Sequence, residues 1–302
     1  MKVIKVRPRG YCKGVIRAIS IARQCALDHP DRPITVLGML VHNAYVKKAL
    51  EEKGITTVED STKSRLELLD EISEGIVIFT AHGISDAVKR KAQEKGLICV
   101  DASCPDVVKT QNLVRSHIEQ GEAILYIGKR HNPDADEVCA LGEQVHLITC
   151  PQDIPAGLTQ QIFVTNQTTM SIFDVERIFE QIRLTYPDAR FSEEICNATR
   201  IRQQAIADLK DRQVDVLYVV GDRHSNNSKR LAQIGKEQGI PHVYLIDDVY
   251  GIEARQLEDC RCVAVTSGAS TPTYLTNQVI DTLEHWEEGR PLPSIIISEM
   301  IG

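Results

Sequence analysis

Three cysteines, Cys12 in RGYCKG, Cys104 in DASCPD and Cys196 in EEICNAT, are separated by 92 and 92 residues. No CxxC-type loop spans such an interval, so three distant segments would each deliver one sulfur to a shared centre. A structural zinc site normally takes four protein ligands in a closed tetrahedron. Three thiolates suit a [4Fe-4S] cluster held through three of its irons, with the fourth left open to a substrate. Cys104 is followed by Pro105, a residue suited to the first turn of a helix, where unpaired N–H groups stabilise a thiolate.

Around each cysteine the same elements recur. VIKVRPRGYCKGVIRAISIARQCAL reads as a short strand, a glycine turn and an amphipathic helix with Ile16, Ile19, Ala22 and Ala26 on one stripe. Apolar runs rich in Ile and Val (ITVLG, GIVIF, LICVD, AILYIG, VHLIT, QIFVT, VDVLYVVG, HVYLI, CVAVTSG) alternate with helical periods. That alternation indicates parallel sheets covered by helices. A repeat of about ninety residues is too long for a solenoid and suits α/β domains. The expected fold is three similar parallel-sheet domains around a pseudo-threefold axis, with a central iron-sulfur site. Its segments are a strand and cluster loop over 1–12, domains over 13–103, 104–195 and 196–285, and a tail over 286–302 carrying a final strand.

Ligand sites in parallel α/β sheets lie at the carboxyl ends of strands. VLGMLVH42N, YIGKRH131N and VVGDRH224SN end one equivalent set of strands, and IFTAH82G, FVTNQT168T and AVTSGAS270T another. His42, His82, Ser225, Asn227 and Ser270 therefore become candidates for a phosphate or diphosphate pocket, aided by N–H groups at helix starts. Taken singly, such residues are ordinary helix caps; their recurrence at matching strand ends is what suggests a shared pocket.

The remaining composition narrows the class. With 302 residues, 42% apolar content and a net charge of −7, the chain can bury a substantial core and carries no overall footprint for nucleic acid. No stretch reaches transmembrane length and no signal-cleavage pattern opens the chain, so a soluble cytoplasmic protein without membrane insertion is expected. Nine cysteines, an odd number, fit thiol chemistry better than disulfide stapling. Cys25, Cys99, Cys139 and Cys150 sit among apolar neighbours as core residues, and Cys260 and Cys262 flank a strand.

The blocks GYC12KGVIRAI, VH42N, AH82G, DASC104P, NQT168T, EIC196NAT, VVGDRHS225NN227S and SGAS270TP resemble those of the IspH/LytB family of 4-hydroxy-3-methylbut-2-enyl diphosphate reductases along nearly the whole chain. The resemblance implies three α/β domains around one [4Fe-4S] cluster, with Cys12, Cys104 and Cys196 as its ligands. It implies reductive dehydroxylation of the allylic diphosphate to isopentenyl and dimethylallyl diphosphates. It also implies that His42, His82, Ser225, Asn227 and Ser270 grip the diphosphate while Thr168 positions the substrate hydroxyl and relays a proton. Two electrons come singly from an external donor, and the oxygen leaves as water. The chain has no Gly-rich dinucleotide fingerprint and no evident flavin site, so a ferredoxin- or flavodoxin-like protein is the implied partner.

One block departs from the family pattern. Where the family has G-x-x-G-H-P-E, this chain has G128KRHNPD134, which puts Asn132 in the histidine position and Asp134 in the glutamate position, with His131 one place early. The family's SSN becomes Ser225-Asn226-Asn227. In one reading Asp134 carries the proton and His131 assists, making Asp134, Thr168 and His131 the catalytic group. In the other, the diphosphate grip persists and the reducible part of the ligand differs, as in a divergent reductase or iron-sulfur dehydratase. A non-enzymatic iron-sulfur sensor needs neither an open iron nor a polar pocket, and no additional partner-binding or DNA-binding module is visible.

Overall fold

The computed structural model describes residues 1–301. Twelve strands are formed among them: β1 (Lys2–Lys5), β2 (Ile34–Leu37), β3 (Ile55–Val58), β4 (Ile76–Phe79), β5 (Ile98–Asp101), β6 (Ala123–Ile127), β7 (Val145–Ile148), β8 (Ile162–Asn166), β9 (Arg190–Phe191), β10 (Val216–Val220), β11 (His242–Ile246) and β12 (Cys262–Ser267). The α-helices are α1 (Lys13–Asp28), α2 (Ala44–Glu51), α3 (Arg65–Leu68), α4 (Asp86–Glu94), α5 (Pro105–Glu119), α6 (Pro133–Cys139), α7 (Ile172–Thr185), α8 (Asn197–Ala207), α9 (Asn226–Glu237) and α10 (Thr273–Glu284).

The strands make three four-stranded sheets with parallel pairing, ordered β3-β2-β4-β5, β7-β6-β8-β9 and β11-β10-β12-β1. In each, the two inner strands are buried along their whole length, as expected for apolar strands covered on both faces. The three-sheet α/β architecture read from the apolar runs is therefore present. Leu37, Val77 and Phe79 anchor one core, Leu125, Val164 and Ile178 a second, and Leu217, Val219 and Leu231 a third.

Writing the sheets in this order exposes the role of the N-terminus. β5 and β9 are the fourth strands of their sheets, and each leads into a cysteine and a long helix. β1 does the same, but it completes the sheet of the last third, pairing Lys2 with Cys262 and Val3 with Val263. The repeat is thus circularly closed, with its last strand supplied by the first residues. This explains why the predicted final strand in the tail is absent: Ile297–Met300 form a 3₁₀ turn. The edge beside β12 is already taken by β1, and Pro291 and Pro293 leave the approach to the tail short of ladder donors.

The helical stripe of α1 also differs by one position. Val15, Ala18, Ile19, Ala22 and Cys25 face the core, while Ile16 is 52% exposed.

By internal contact the chain divides into two compact units. One comprises Met1–Ile19, Val41–Ile55 and the chain from Asn197 onward, and contains the sheet completed by β1; the other comprises Ser20–Leu40 and Thr56–Cys196, and contains the other two sheets. No helix among the described residues is long and apolar enough to cross a membrane.

Candidate active site

Each of the three cysteines is held in the same way. The Cys12 N–H donates to the Ala269 carbonyl at 3.0 Å, Cys104 N–H to Ala81 at 2.9 Å and Cys196 N–H to Thr168 at 3.0 Å. Each acceptor lies two residues beyond an inner strand, β12, β4 and β8 respectively, and each cysteine directly precedes a helix, α1, α5 and α8. A thiolate at such a position faces the positive end of the helix dipole. All three are half-buried, and no disulfide joins any of the nine cysteines.

Four of the other cysteines sit where burial disfavours a thiolate. Burial pushes the thiols of Cys25, Cys99 and Cys260 up, and that of Cys139 up to about 11. Each of Cys12, Cys104 and Cys196 stands at a helix start with its backbone held in the same register, a setting suited to a thiolate ligand. Among the described residues no three His, Cys, Asp or Glu side chains gather tightly enough to hold a single metal ion.

The middle loop and its surroundings lie in one unit. Asn132 caps α6, its Oδ1 accepting the Asp134 N–H at 3.1 Å and Gln167 Nε2 at 2.6 Å. Gln167 also accepts from the Lys129 N–H at 3.1 Å, tying the loop after β6 to the loop after β8. With its oxygen occupied by two donors, Asn132 has its amide nitrogen to offer a ligand. Asp134, 5% exposed in the first turn of α6, contacts His82 Nδ1 at 2.8 Å. The proton in this pair can sit on either partner: a protonated carboxyl donates to Nδ1, and an ionised one accepts from Nδ1–H. Thr168 is 5% exposed, and its carbonyl is the acceptor for Cys196. His131 is exposed, in a left-handed conformation with φ 57°, beside the carboxyl of Asp136 that burial pushes up.

In the other unit, Ser225 caps α9 by accepting the Ser228 N–H at 3.3 Å, and Asn226 and Asn227 open that helix. Asn227 is 7% exposed, and neither polar atom of its side chain has a hydrogen-bond partner. A buried carboxamide left unsatisfied costs roughly 1–3 kcal/mol, which a ligand able to pair with it would recover. Ser270 Oγ donates to the His42 carbonyl at 3.0 Å, so it must turn away from His42 to donate to a phosphate.

A cavity of about 350 Å³ opens beside these residues, lined by Asn43, Tyr45, Asp222, His224 and Asp248 among others. Asp222, Asp247 and Asp248 outnumber the lining's one arginine, Arg223, which is already paired with Asp247 at 2.9 Å, and Tyr45 is hydrogen-bonded to Asp248, so this cavity disfavours a diphosphate.

Two neighbours of the candidate residues escaped the sequence reading. Gln167 adjoins Thr168 in the NQTT block, but two of its side-chain partners are 38 and 35 residues away. Arg65 comes from the short helix α3, with no motif around it to mark it. It donates to Thr80 Oγ1 at 2.9 Å and to the Gly83 carbonyl, and approaches Glu137 at 3.7 Å. Burial pushes the Glu137 carboxyl up, against the opposing pull of that guanidinium.

A family model described as LytB protein matches residues 3–284. A 4-hydroxy-3-methylbut-2-enyl diphosphate reductase from Anoxybacillus flavithermus is 47% identical over 295 residues, covering 96% of this chain and 93% of the relative. One from Bacillus cereus is 46% identical over 305 residues, covering 97% and 96%. Among solved structures, the E-1-hydroxy-2-methyl-but-2-enyl-4-diphosphate reductase of Plasmodium falciparum superposes with a TM-score of 0.87 at 27% identity, covering 99% of this chain and 96% of that one. With a family match over almost the whole length and relatives close to half identical, this chain belongs to the LytB family.

Proposed function

We propose that this chain is an oxidoreductase that removes the hydroxyl of 4-hydroxy-3-methylbut-2-enyl diphosphate reductively, giving isopentenyl and dimethylallyl diphosphates. The observation that carries the reading is the threefold cysteine placement: Cys12, Cys104 and Cys196 each bind the carbonyl two residues past an inner strand and each open a helix. These three would hold one [4Fe-4S] cluster. Each cysteine would bind its own iron, so the three need not meet at one metal ion. When bound, the cluster supplies electrons one at a time and an iron position open to substrate.

The chain's own residues bind, orient and move protons. Asn227, with its unsatisfied buried carboxamide, is assigned to the diphosphate together with His42, His82, Asn132, Ser225, Asn226 and Ser270. Asp134 is assigned the acid role, because it is a buried carboxyl already in contact with a second proton-carrying group, His82. Thr168 continues the path to the substrate hydroxyl, and the exposed His131 assists at the phosphate end. Electrons come from a ferredoxin- or flavodoxin-like protein, since the chain has no dinucleotide fingerprint of its own. Nine cysteines without a disulfide suit a reducing cytoplasm. Sheet membership supports dividing the chain into α/β segments over 13–103, 104–195 and 196–285, the last completed by β1.

Anaerobic reconstitution tests the reading. Mössbauer spectra should show one iron distinct from the others and altered by the allylic diphosphate, and a chemical donor should support turnover. Asp134→Asn should keep fold, iron content and diphosphate binding while turnover falls strongly. Undiminished turnover would remove Asp134 from the acid role. An intact cluster with tight diphosphate binding but no turnover by the unmodified protein would favour a different phosphorylated substrate, the outcome allowed by the Asn132 and Asp134 departures.

A further inference from the structure

Arg65 is nearly buried, with its side chain 12% exposed, and its contacts bracket the His82–Asp134 pair from both sides. Its two hydrogen-bond acceptors, Thr80 Oγ1 and the Gly83 carbonyl, stand on either side of His82 in the loop after β4. Its third neighbour, the Glu137 carboxylate at 3.7 Å, is three residues beyond Asp134, the spacing that puts two side chains on one face of a helix. The guanidinium therefore spans the same two elements, loop and α6, that His82 and Asp134 join at 2.8 Å. A planar fork of donors can hold two loop atoms while facing a carboxylate, which a lysine cannot reproduce.

We infer that Arg65 is a positioning residue for the reaction, holding the 80–83 loop against α6 so that His82 and Asp134 stay in contact. The inference rests on the role given to Asp134 above, but the His82–Asp134 geometry can be measured without turnover. The same loop presents the Ala81 carbonyl to the Cys104 N–H, so a shift of the loop would also disturb the peptide at that cysteine. Burying a guanidinium is costly unless it is well paired, and a core strut alone would be served by an apolar side chain.

The test uses Arg65→Met in the full-length protein. In metal-free, ¹⁵N-histidine-labelled protein, the His82 ring-nitrogen resonances should move toward those of Asp134→Asn, which lacks the carboxylate. After reconstitution, kcat on the allylic diphosphate should fall by about tenfold to a hundredfold, the scale of an ångström-sized misplacement, while KM changes by less than about threefold. The double variant Arg65→Met, Asp134→Asn should be little slower than Asp134→Asn alone. If Arg65 is only a strut, Arg65→Met lowers thermal stability but leaves the His82 resonances and kcat unchanged, and the inference fails. Should Arg65→Met not fold, Glu137→Gln removes only the charge partner; unmoved His82 resonances there would equally overturn it. If the unmodified protein does not turn over this substrate, the assigned function fails while the resonances still decide the role of Arg65.

Discussion

Asn132 stands where the family pattern has a histidine, and the two ends of its side chain can be tested apart. Its Oδ1 caps α6 through the Asp134 N–H and receives Gln167 Nε2. Its amide nitrogen is the part assigned to diphosphate. Asn132→Ala removes both functions. Losing the cap costs about 1 kcal/mol. Gln167 retains Thr169 Oγ1 at 3.1 Å but loses its shorter partner. That loss is worth about another 1 kcal/mol. A destabilisation of about 2 kcal/mol corresponds to a fall of roughly 4–8 °C in the thermal midpoint. Asn132→Asp separates the jobs: the acceptor oxygen remains at a helix start that favours negative charge, so stability should stay within about 1 kcal/mol. The donor becomes an anion facing the diphosphate, so substrate affinity should drop by more than about tenfold. Thermal unfolding by circular dichroism and calorimetric titration with the diphosphate measure the two effects. Wild-type stability in Asn132→Ala would refute the cap-and-clamp account, and wild-type affinity in Asn132→Asp would refute the ligand contact.

Three further outcomes follow from the geometry. Asn227→Ala removes a carboxamide whose buried atoms have no partner, so the unliganded protein should gain roughly 1 kcal/mol of stability while diphosphate affinity falls about tenfold; lost stability with unchanged affinity, in denaturation and titration, would make it a packing residue. Gly10→Ala should destabilise by roughly 2 kcal/mol or more and reduce iron uptake per chain, because Gly10 has φ +76° and a Cβ there would lie 2.2 Å from Thr273 Oγ1, two residues before Cys12; unchanged urea midpoint and iron content would count against it. Burial raises Cys139 to about 11, so near neutral pH it is almost wholly protonated. Alkylation by iodoacetamide should rise about tenfold per pH unit and level off only near that value, whereas an ordinary thiol levels off near pH 8.5; early saturation in peptide mass spectrometry would contradict the burial argument.

The fold was legible where the physics is local. Runs such as AILYI, IFVTN and VLYVV are apolar throughout because a strand covered on both faces has no solvent side, and each became an inner strand. The short edge strands β3 and β9 went unread, since ITTV carries two polar residues and RF is only two residues long. The α1 stripe was displaced by a position because Ile16 is as apolar as the residues that do face the core, and only packing shows which side is covered.

The sequence alone determined which residues are chemically able: three cysteines at equal spacing, each at a strand-to-helix junction, and polar side chains at matching strand ends. Tertiary structure decided their partners. β1 closes the sheet of the last third because strand pairing is set by burial and hydrogen bonding across 260 residues of chain, from Lys2 to Cys262, not by proximity along it. Asn132 was legible as a polar loop residue. Its service as a cap and as a clamp for Gln167 depends on two loops meeting. Arg65 was invisible for the same reason: a lone arginine acquires meaning only when folding buries it against Thr80, Gly83 and Glu137, where an unpaired charge would be too costly to keep.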